Sequence, residues 1–144
     1  MNDQQLQLVT FEQARRLKKL GFNWPVHEKF NLEGMGGMRE HYTLVKSPLG
    51  DWNHPNWNGE GHVEHDGKEN YVSCPETALA LKWFRDVKRM FFRITYFFIE
   101  SKNSIAWVGL INTKVETSNC DTYEAAESAL LDALIEQAEK EALT

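Results

Sequence analysis

The sequence has few cysteines and no long apolar run. Two cysteines occur among its 144 residues, which is too few for the disulfide framework of a small secreted domain. No apolar run approaches the roughly 20 residues that a membrane-spanning helix needs. Residues 1–5 are polar and do not show the basic and then apolar order of a secretory signal. We therefore expect a cytoplasmic protein with free thiols and no membrane partner.

An excess of positive charge is also absent. The formal net charge is −5, whereas proteins that bind nucleic acids or anionic membranes generally rely on surplus lysine and arginine. The composition therefore disfavours nucleic acid as a partner. The hydrophobic content of 42% and the aromatic content of 12% suffice for a core and exclude a disordered chain. A chain of this length predicts one domain over residues 1–144.

The first helix is marked at both ends. Thr10 and Gln13 have the spacing of a capping box, in which the two residues exchange side-chain to backbone hydrogen bonds. Gly21 stands where a left-handed residue ends a helix, and Pro25 prevents any extension. The helix predicted between these signals has an apolar stripe, formed by Phe11, Ala14, Leu17 and Leu20.

The middle of the chain gives weaker signals. Residues 41–46 favour a strand. Residues 47–70 are rich in Gly, Asn, Pro, Asp and His, and a loop of that length in a compact domain is usually functional or mobile. The dipeptide at 66–67, Asp-Gly, is typical of a hairpin turn, which would pair residues 62–65 with residues 69–73.

A second helix is predicted over residues 75–89. Ser73 and Glu76 repeat the capping-box spacing, and Pro75 suits the first turn because its missing N–H costs little there. The apolar stripe of this helix consists of Leu79, Ala80, Trp83, Phe84 and Val87.

The last third predicts a hairpin and a helix. Residues 91–99 and 105–111 are rich in aromatic and β-branched types and are joined by a short polar loop. Because both faces of this hairpin are apolar, we expect it at the centre of the sheet. A third helix begins near Thr122, and its expected buried stripe is Tyr123, Ala126, Leu130 and Leu134, flanked by Leu131 and Ala138. Its opposite face is acidic, with Asp132, Glu136 and Glu139. The predicted fold is therefore α+β: three helices packed on a small antiparallel sheet with a central hairpin at about residues 91–111.

No metal, cofactor or catalytic motif stands out. His62 and His65 flank Glu64, but an odd spacing of three places two strand residues on opposite faces, so ordinary loop histidines are the favoured interpretation. Cys74 would lie at a helix N-terminus, where a thiolate is stabilised. A nucleophile also needs a positioned base, so a small buried residue is favoured here. We predict no metal, no cofactor and no catalytic residue.

One loop has the composition of a binding site. Trp52, His54 and Trp57 lie close together amid asparagines, and such side chains stack on a ligand ring and hydrogen-bond around it. The alternative is that the tryptophans anchor the loop to the core.

The helices differ in charge. Lys82, Arg85 and Arg89 share one face of the predicted second helix, and Arg93 extends this basic patch onto the next strand. A solvated face is the usual explanation of such a run. Opposed basic and acidic faces also suit contact with a protein partner or between two copies.

Three blocks of the chain carry a resemblance. Residues 10–22, 74–86 and 122–135 resemble segments of small uncharacterised proteins that are carried by phages and mobile elements of Bacteroides-type bacteria. The resemblance implies a cytoplasmic, phage-linked accessory protein. That family has no established activity, so no residue here inherits a role.

The leading hypothesis from the sequence is a non-enzymatic protein-interaction module that binds a protein partner or itself. One alternative is a protein that binds a small ligand or a nucleotide through loop 51–65. This alternative includes enzymes. Another is nucleic-acid binding through the basic face of helix 75–89.

Overall fold

The computed structural model describes residues 7–26, 28–33, 41–46 and 71–143. These residues form three α-helices and two small antiparallel sheets, which confirms the α+β class. The chain divides into two compact units. One unit is Leu8–Pro75, and the other combines Met1–Gln7 with Glu76–Thr144.

The first unit begins with helix α1 (Phe11–Lys19). Its capping box is confirmed: the Thr10 hydroxyl accepts the Gln13 N–H at 3.1 Å, and the Gln13 side chain accepts the Thr10 N–H at 3.0 Å. Gly21 has a φ of +97°, a conformation that side chains rarely tolerate. Phe22 then folds back and is buried. The predicted beginning and end of the helix are therefore both confirmed.

A three-stranded sheet completes this unit. The strands are β1 (Glu28–Glu33), β2 (His41–Lys46) and β3 (Tyr71–Cys74), in the order β2-β1-β3. Phe30 of β1 lies opposite Leu44 of β2 and Val72 of β3. The prediction of β2 is confirmed, whereas β1 was not predicted. The predicted hairpin turn at 66–67 lies outside the described residues.

The capping box predicted at Ser73 is wrong. Ser73 lies in β3 opposite Lys29, so sheet pairing outweighed the local capping signal. Helix α2 spans Thr77–Asp86, its N-cap is Glu76, and no side-chain hydrogen bond caps it. The helix is thus shorter than the predicted 75–89 at both ends.

The second unit contains α2, the predicted hairpin and α3. The hairpin is confirmed: β4 (Phe92–Ile99) and β5 (Ser104–Ile111) are antiparallel and joined by the 3₁₀ turn Glu100–Lys102. A two-residue strand, β6 (Lys114–Val115), pairs with the other side of β5. The sheet order is β4-β5-β6, so β5 is the central strand and β4 forms an edge.

Helix α3 (Tyr123–Ala142) packs on β5. Its buried side chains are Ala126, Leu130, Leu131, Leu134, Ile135 and Ala138. The approach is close at Gly109, where an added Cβ would lie 2.9 Å from the Leu130 Cβ. Tyr123 was predicted in the buried stripe, and this prediction is wrong because the side chain is 42% exposed. Its ring contacts that of Trp107, with 5.4 Å between the centroids.

Replacement of Gly109 by alanine tests the packing of α3 on β5. We expect Gly109→Ala to lower the free energy of unfolding by about 1–3 kcal/mol, because the new methyl group overpacks a site that has no room for it. Chemical denaturation measures this change. Ser104→Ala, at an exposed position of the same strand, is the control and should shift stability by less than about 0.5 kcal/mol. A Gly109→Ala protein as stable as the control would contradict the close approach.

Candidate interaction surface

The residues of the predicted binding loop lie outside the described part of the chain. Trp52, His54 and Trp57 belong to residues 47–70, as do His62 and His65. The ligand-binding hypothesis for loop 51–65 therefore stays a prediction.

The basic residues of α2 are partly neutralised by their own helix. Lys82 Nζ lies 3.0 Å from Asp86 Oδ2, and Arg85 Nε lies 3.1 Å from Asp86 Oδ1. The hydrogen bonds from Lys82 and then from Arg85 lower the pKa of the Asp86 carboxyl. One carboxylate thus lies between two of the three predicted basic side chains.

Arg89 does not lie on the helix with the other two basic residues. It follows the end of α2 at Asp86 by three residues and has a φ of +57°. The structure therefore brings Lys82 and Arg85 together and separates Arg89 from their helical face. Nucleic-acid binding through this region stays a prediction.

Cys74 is a buried residue of a strand. It lies in β3 and not at a helix N-terminus, its side chain is fully buried, and its thiol contacts the Val9 carbonyl at 3.7 Å. Burial, with a contribution from the negative charge of Glu28, raises the pKa of the thiol to about 12. A raised pKa disfavours the thiolate, which is the nucleophilic form. The burial of the side chain confirms the interpretation of Cys74 as a small buried residue.

Neither a metal cluster nor a membrane span is present among the described residues. No group of three or more His, Cys, Asp and Glu side chains among them is arranged to hold a metal ion. None of the helices described is long and apolar enough to cross a membrane.

Among the described residues, exposed large apolar side chains gather on β4 and its flanks. Tyr96 and Phe98 are 61% and 56% exposed, and Phe97 is 42% exposed. Phe91, just before the strand, and Ile105, across the hairpin, are exposed as well. We call these five residues the apolar rim. Aromatic side chains are enriched at protein interfaces and dominate their energetics.

Hydrogen bonding shows which backbone groups of β4 face the open edge. The Asn112 N–H donates to the Phe91 carbonyl at 2.7 Å, so these two residues form a hydrogen-bonded pair of the β4–β5 ladder. Such pairs alternate with non-hydrogen-bonded pairs along an antiparallel ladder. The backbone groups of alternate residues from Arg93 onward therefore face β5. The backbone groups of the remaining β4 residues face away from β5. We call these residues the outward residues: Phe92, Ile94, Tyr96 and Phe98.

The opposite side of β5 gives the same alternation. The Gly109 carbonyl accepts the Glu116 N–H at 3.0 Å, and Trp107 and Cys120 exchange two hydrogen bonds of 2.8 Å. Both β5 residues thus face away from β4, and their partners across the hairpin, Ile94 and Tyr96, are outward residues. Within the described residues, no strand pairs with β4 on its outward side.

The side chains of the outward residues lie on the face of the sheet that carries α3. Opposite residues of an antiparallel pair point to the same face, and Ile94 lies opposite Gly109, which contacts Leu130 of α3. The Tyr96 ring packs at a tilt against the Trp107 ring, with 5.1 Å between their centroids, and Trp107 in turn contacts Tyr123 edge-to-face. The exposed tyrosine is thereby held in place by two further rings.

The two edges of this sheet differ in length and composition. β6 has two residues, one of them charged, as is typical of edges that avoid unwanted pairing. β4 has eight residues and a single charge, that of Arg93. It is long and apolar and has no proline, so neither shortness nor proline protects this edge. The sequence showed the aromatic density of this segment but not that it forms an edge.

Comparison with known protein families, with curated proteins and with solved structures finds no match for this chain.

Thiol labelling tests the environment of Cys74. We expect a neutral thiol reagent at pH 7 to modify Cys120, which is partly exposed, and to leave Cys74 unmodified because its thiol is buried and protonated. Mass spectrometry after labelling counts the adducts, and denaturant should expose the second thiol. The Cys120→Ser variant is the control and should remain unlabelled in the folded state. Rapid native labelling of this variant would contradict the placement of Cys74.

Proposed function

We propose that this chain is a non-enzymatic protein-interaction module of a phage or another mobile element, cytoplasmic, and that the edge of β4 is its binding surface. The observation that supports the proposal is the open row of backbone groups on the outward residues, bordered by the apolar rim. Main-chain hydrogen bonds of this kind give affinity when an extended segment adds to a sheet, and neighbouring side chains give specificity.

Other observations favour a protein partner over the alternatives. The buried and protonated Cys74 removes the thiol nucleophile that the sequence offered, which supports the non-enzymatic part of the proposal. The two contacts of Asp86 with Lys82 and Arg85 lower the positive charge that α2 presents to a phosphate backbone. The phage or mobile-element context is supported by the resemblance of the three sequence blocks.

The size of the apolar rim fits an interaction site. Its aromatic members are 42% to 68% exposed. With about 200 Å² for a fully exposed aromatic side chain, the rim presents on the order of 500 Å² of apolar surface. The largest apolar patch on a typical monomer is about 300–600 Å² and is often functional. The summed exposed area of the apolar rim lies within this range.

Site-specific photo-crosslinking tests the proposed surface. The photoreactive residue p-benzoylphenylalanine replaces Phe98 in one variant, and the chain is expressed in the host bacterium that carries the whole mobile element. We expect irradiation to link the Phe98 variant to protein, because the side chain lies at the proposed binding edge.

The same replacement at Val115 is the matched control. Val115 is 54% exposed, a fraction close to the 56% of Phe98. It lies on β6, at the opposite edge of the same sheet. It should yield few adducts. Equal or absent adducts at the two positions would contradict the proposal, and the mass of each adduct identifies its partner.

A further inference from the structure

We propose that the strand added to β4 is β4 of a second copy of this chain, antiparallel and in a register centred on Thr95. The two copies would then share a continuous six-stranded sheet in the order β6-β5-β4-β4-β5-β6. This inference rests on the proposed function, because it names the partner of the same surface.

Symmetry limits the registers that two copies of β4 can adopt. A continuous antiparallel sheet of two identical strands has its two-fold axis perpendicular to the sheet, so residues opposite each other point to the same face. The outward residues of one copy must therefore meet outward residues of the other. A register centred on Thr95 pairs Phe92 with the partner's Phe98 and Ile94 with the partner's Tyr96.

This register satisfies more backbone groups than its neighbours do. All four outward residues of each copy find an outward residue opposite, which gives about eight hydrogen bonds between the strands. A shift to a centre at Tyr96 places Phe92 opposite the partner's Glu100, which belongs to the 3₁₀ turn and not to the strand. A shift to a centre at Ile94 places Phe98 opposite the partner's Met90, which precedes β4.

In this arrangement the side chains of β4 lie opposite partners of suitable charge on the second copy. Arg93 is the single charged residue of the strand, and it would face the partner's Phe97, so no like charges meet. A parallel arrangement in register would instead place Arg93 beside the partner's Arg93. The antiparallel direction also brings the Arg93 end of one copy toward the Glu100 end of the other. Charge therefore favours the antiparallel pair.

The exposed apolar area at the edge of β4 can be compared with the area that a stable dimer buries. An interface of standard size buries about 800 Å² per partner. The apolar rim supplies on the order of 500 Å² in each copy, with about 200 Å² taken for a fully exposed aromatic side chain. The apolar rim could thus supply more than half of one partner's share of a standard interface. A peptide lying on the edge would cover less of the rim than a strand that belongs to an equally apolar hairpin.

The two α3 helices leave room for this pairing. They lie on the same face of the shared sheet, each mainly over its own β5. The two β5 strands would be about 14 Å apart, three times the spacing of neighbouring strands, whereas directly packed helices are 8–10 Å apart. The side chains of the outward residues, which point to this face, would occupy the space between the helices.

The mass of the purified chain in solution tests the inference first. We expect sedimentation equilibrium to give twice the mass of one chain for the wild type. We expect Tyr96→Lys to give a monomer, because the substitution places one lysine charge in each of the two paired strands. Val115→Lys, at an exposed position of β6, is the matched control and should remain a dimer. Circular dichroism establishes that each variant is folded.

Cysteine cross-linking tests the register and needs no loss of folding. In a Cys120→Ser background, Thr95→Cys places two thiols opposite each other with Cα atoms about 4.5 Å apart, within the range for a disulfide. Phe97→Cys, on the same face and two residues away, separates the two cysteines by roughly 13 Å along the strands. We expect mild oxidation to give a covalent dimer with Thr95→Cys and not with Phe97→Cys.

The outcomes separate this inference from the proposed function. A wild-type chain that is a folded monomer, a dimer that persists in Tyr96→Lys, or equal cross-linking at positions 95 and 97 would overturn the self-pairing. If Phe98 then links to a different protein in the host bacterium, the edge of β4 remains a binding surface for that protein. If Phe98 links to nothing, the proposed function fails as well.

Discussion

The close contact between α3 and β5 determines what the second unit exposes. Because residue 109 has no side chain, Leu130 reaches the backbone of β5, and the helix lies over the central strand of the sheet. An α-helix with its side chains is about 10–12 Å wide, whereas strands are about 4.8 Å apart. A helix centred on β5 therefore covers its own strand well, and no other described strand pairs with the far side of β4. The exposed aromatic edge is a consequence of where the helix is placed.

The elements that the sequence predicted well are those with strong local signals. The hydroxyl of Thr10 and the amide of Gln13 suffice to fix the start of α1, and the aromatic and β-branched run with its polar break suffices for the hairpin. Strand β1 has no such signal, since Glu28–Glu33 contains charged residues and an asparagine, which are poor strand formers. It is a strand because β2 and β3 pair with it on both sides. Ser73 shows the reverse case, in which a capping pattern was overridden by the sheet.

The candidate surface was predictable in part. Apolar residues on both faces of residues 91–99 suit a strand in the middle of a sheet, and they equally suit an edge that another chain covers. Strand order decides between the two, and it depends on contacts that are distant in sequence. Helical periodicity likewise extended the basic face to Arg89, although the chain leaves the helix after Asp86. Of the three basic residues predicted on one helical face, only Lys82 and Arg85 lie together on α2.

The hairpin also has a consequence for the synthesis of the chain. Its strands are joined by a short turn, so its contacts are local in sequence, and local contacts generally form fast. Residues 94–99 then present six uncharged residues of high strand propensity, the composition of segments that aggregate. Arg93 and Glu100 stand at the two ends of this run, where natural sequences place charged gatekeepers. Charges at these two positions oppose the pairing of the run with further copies of itself.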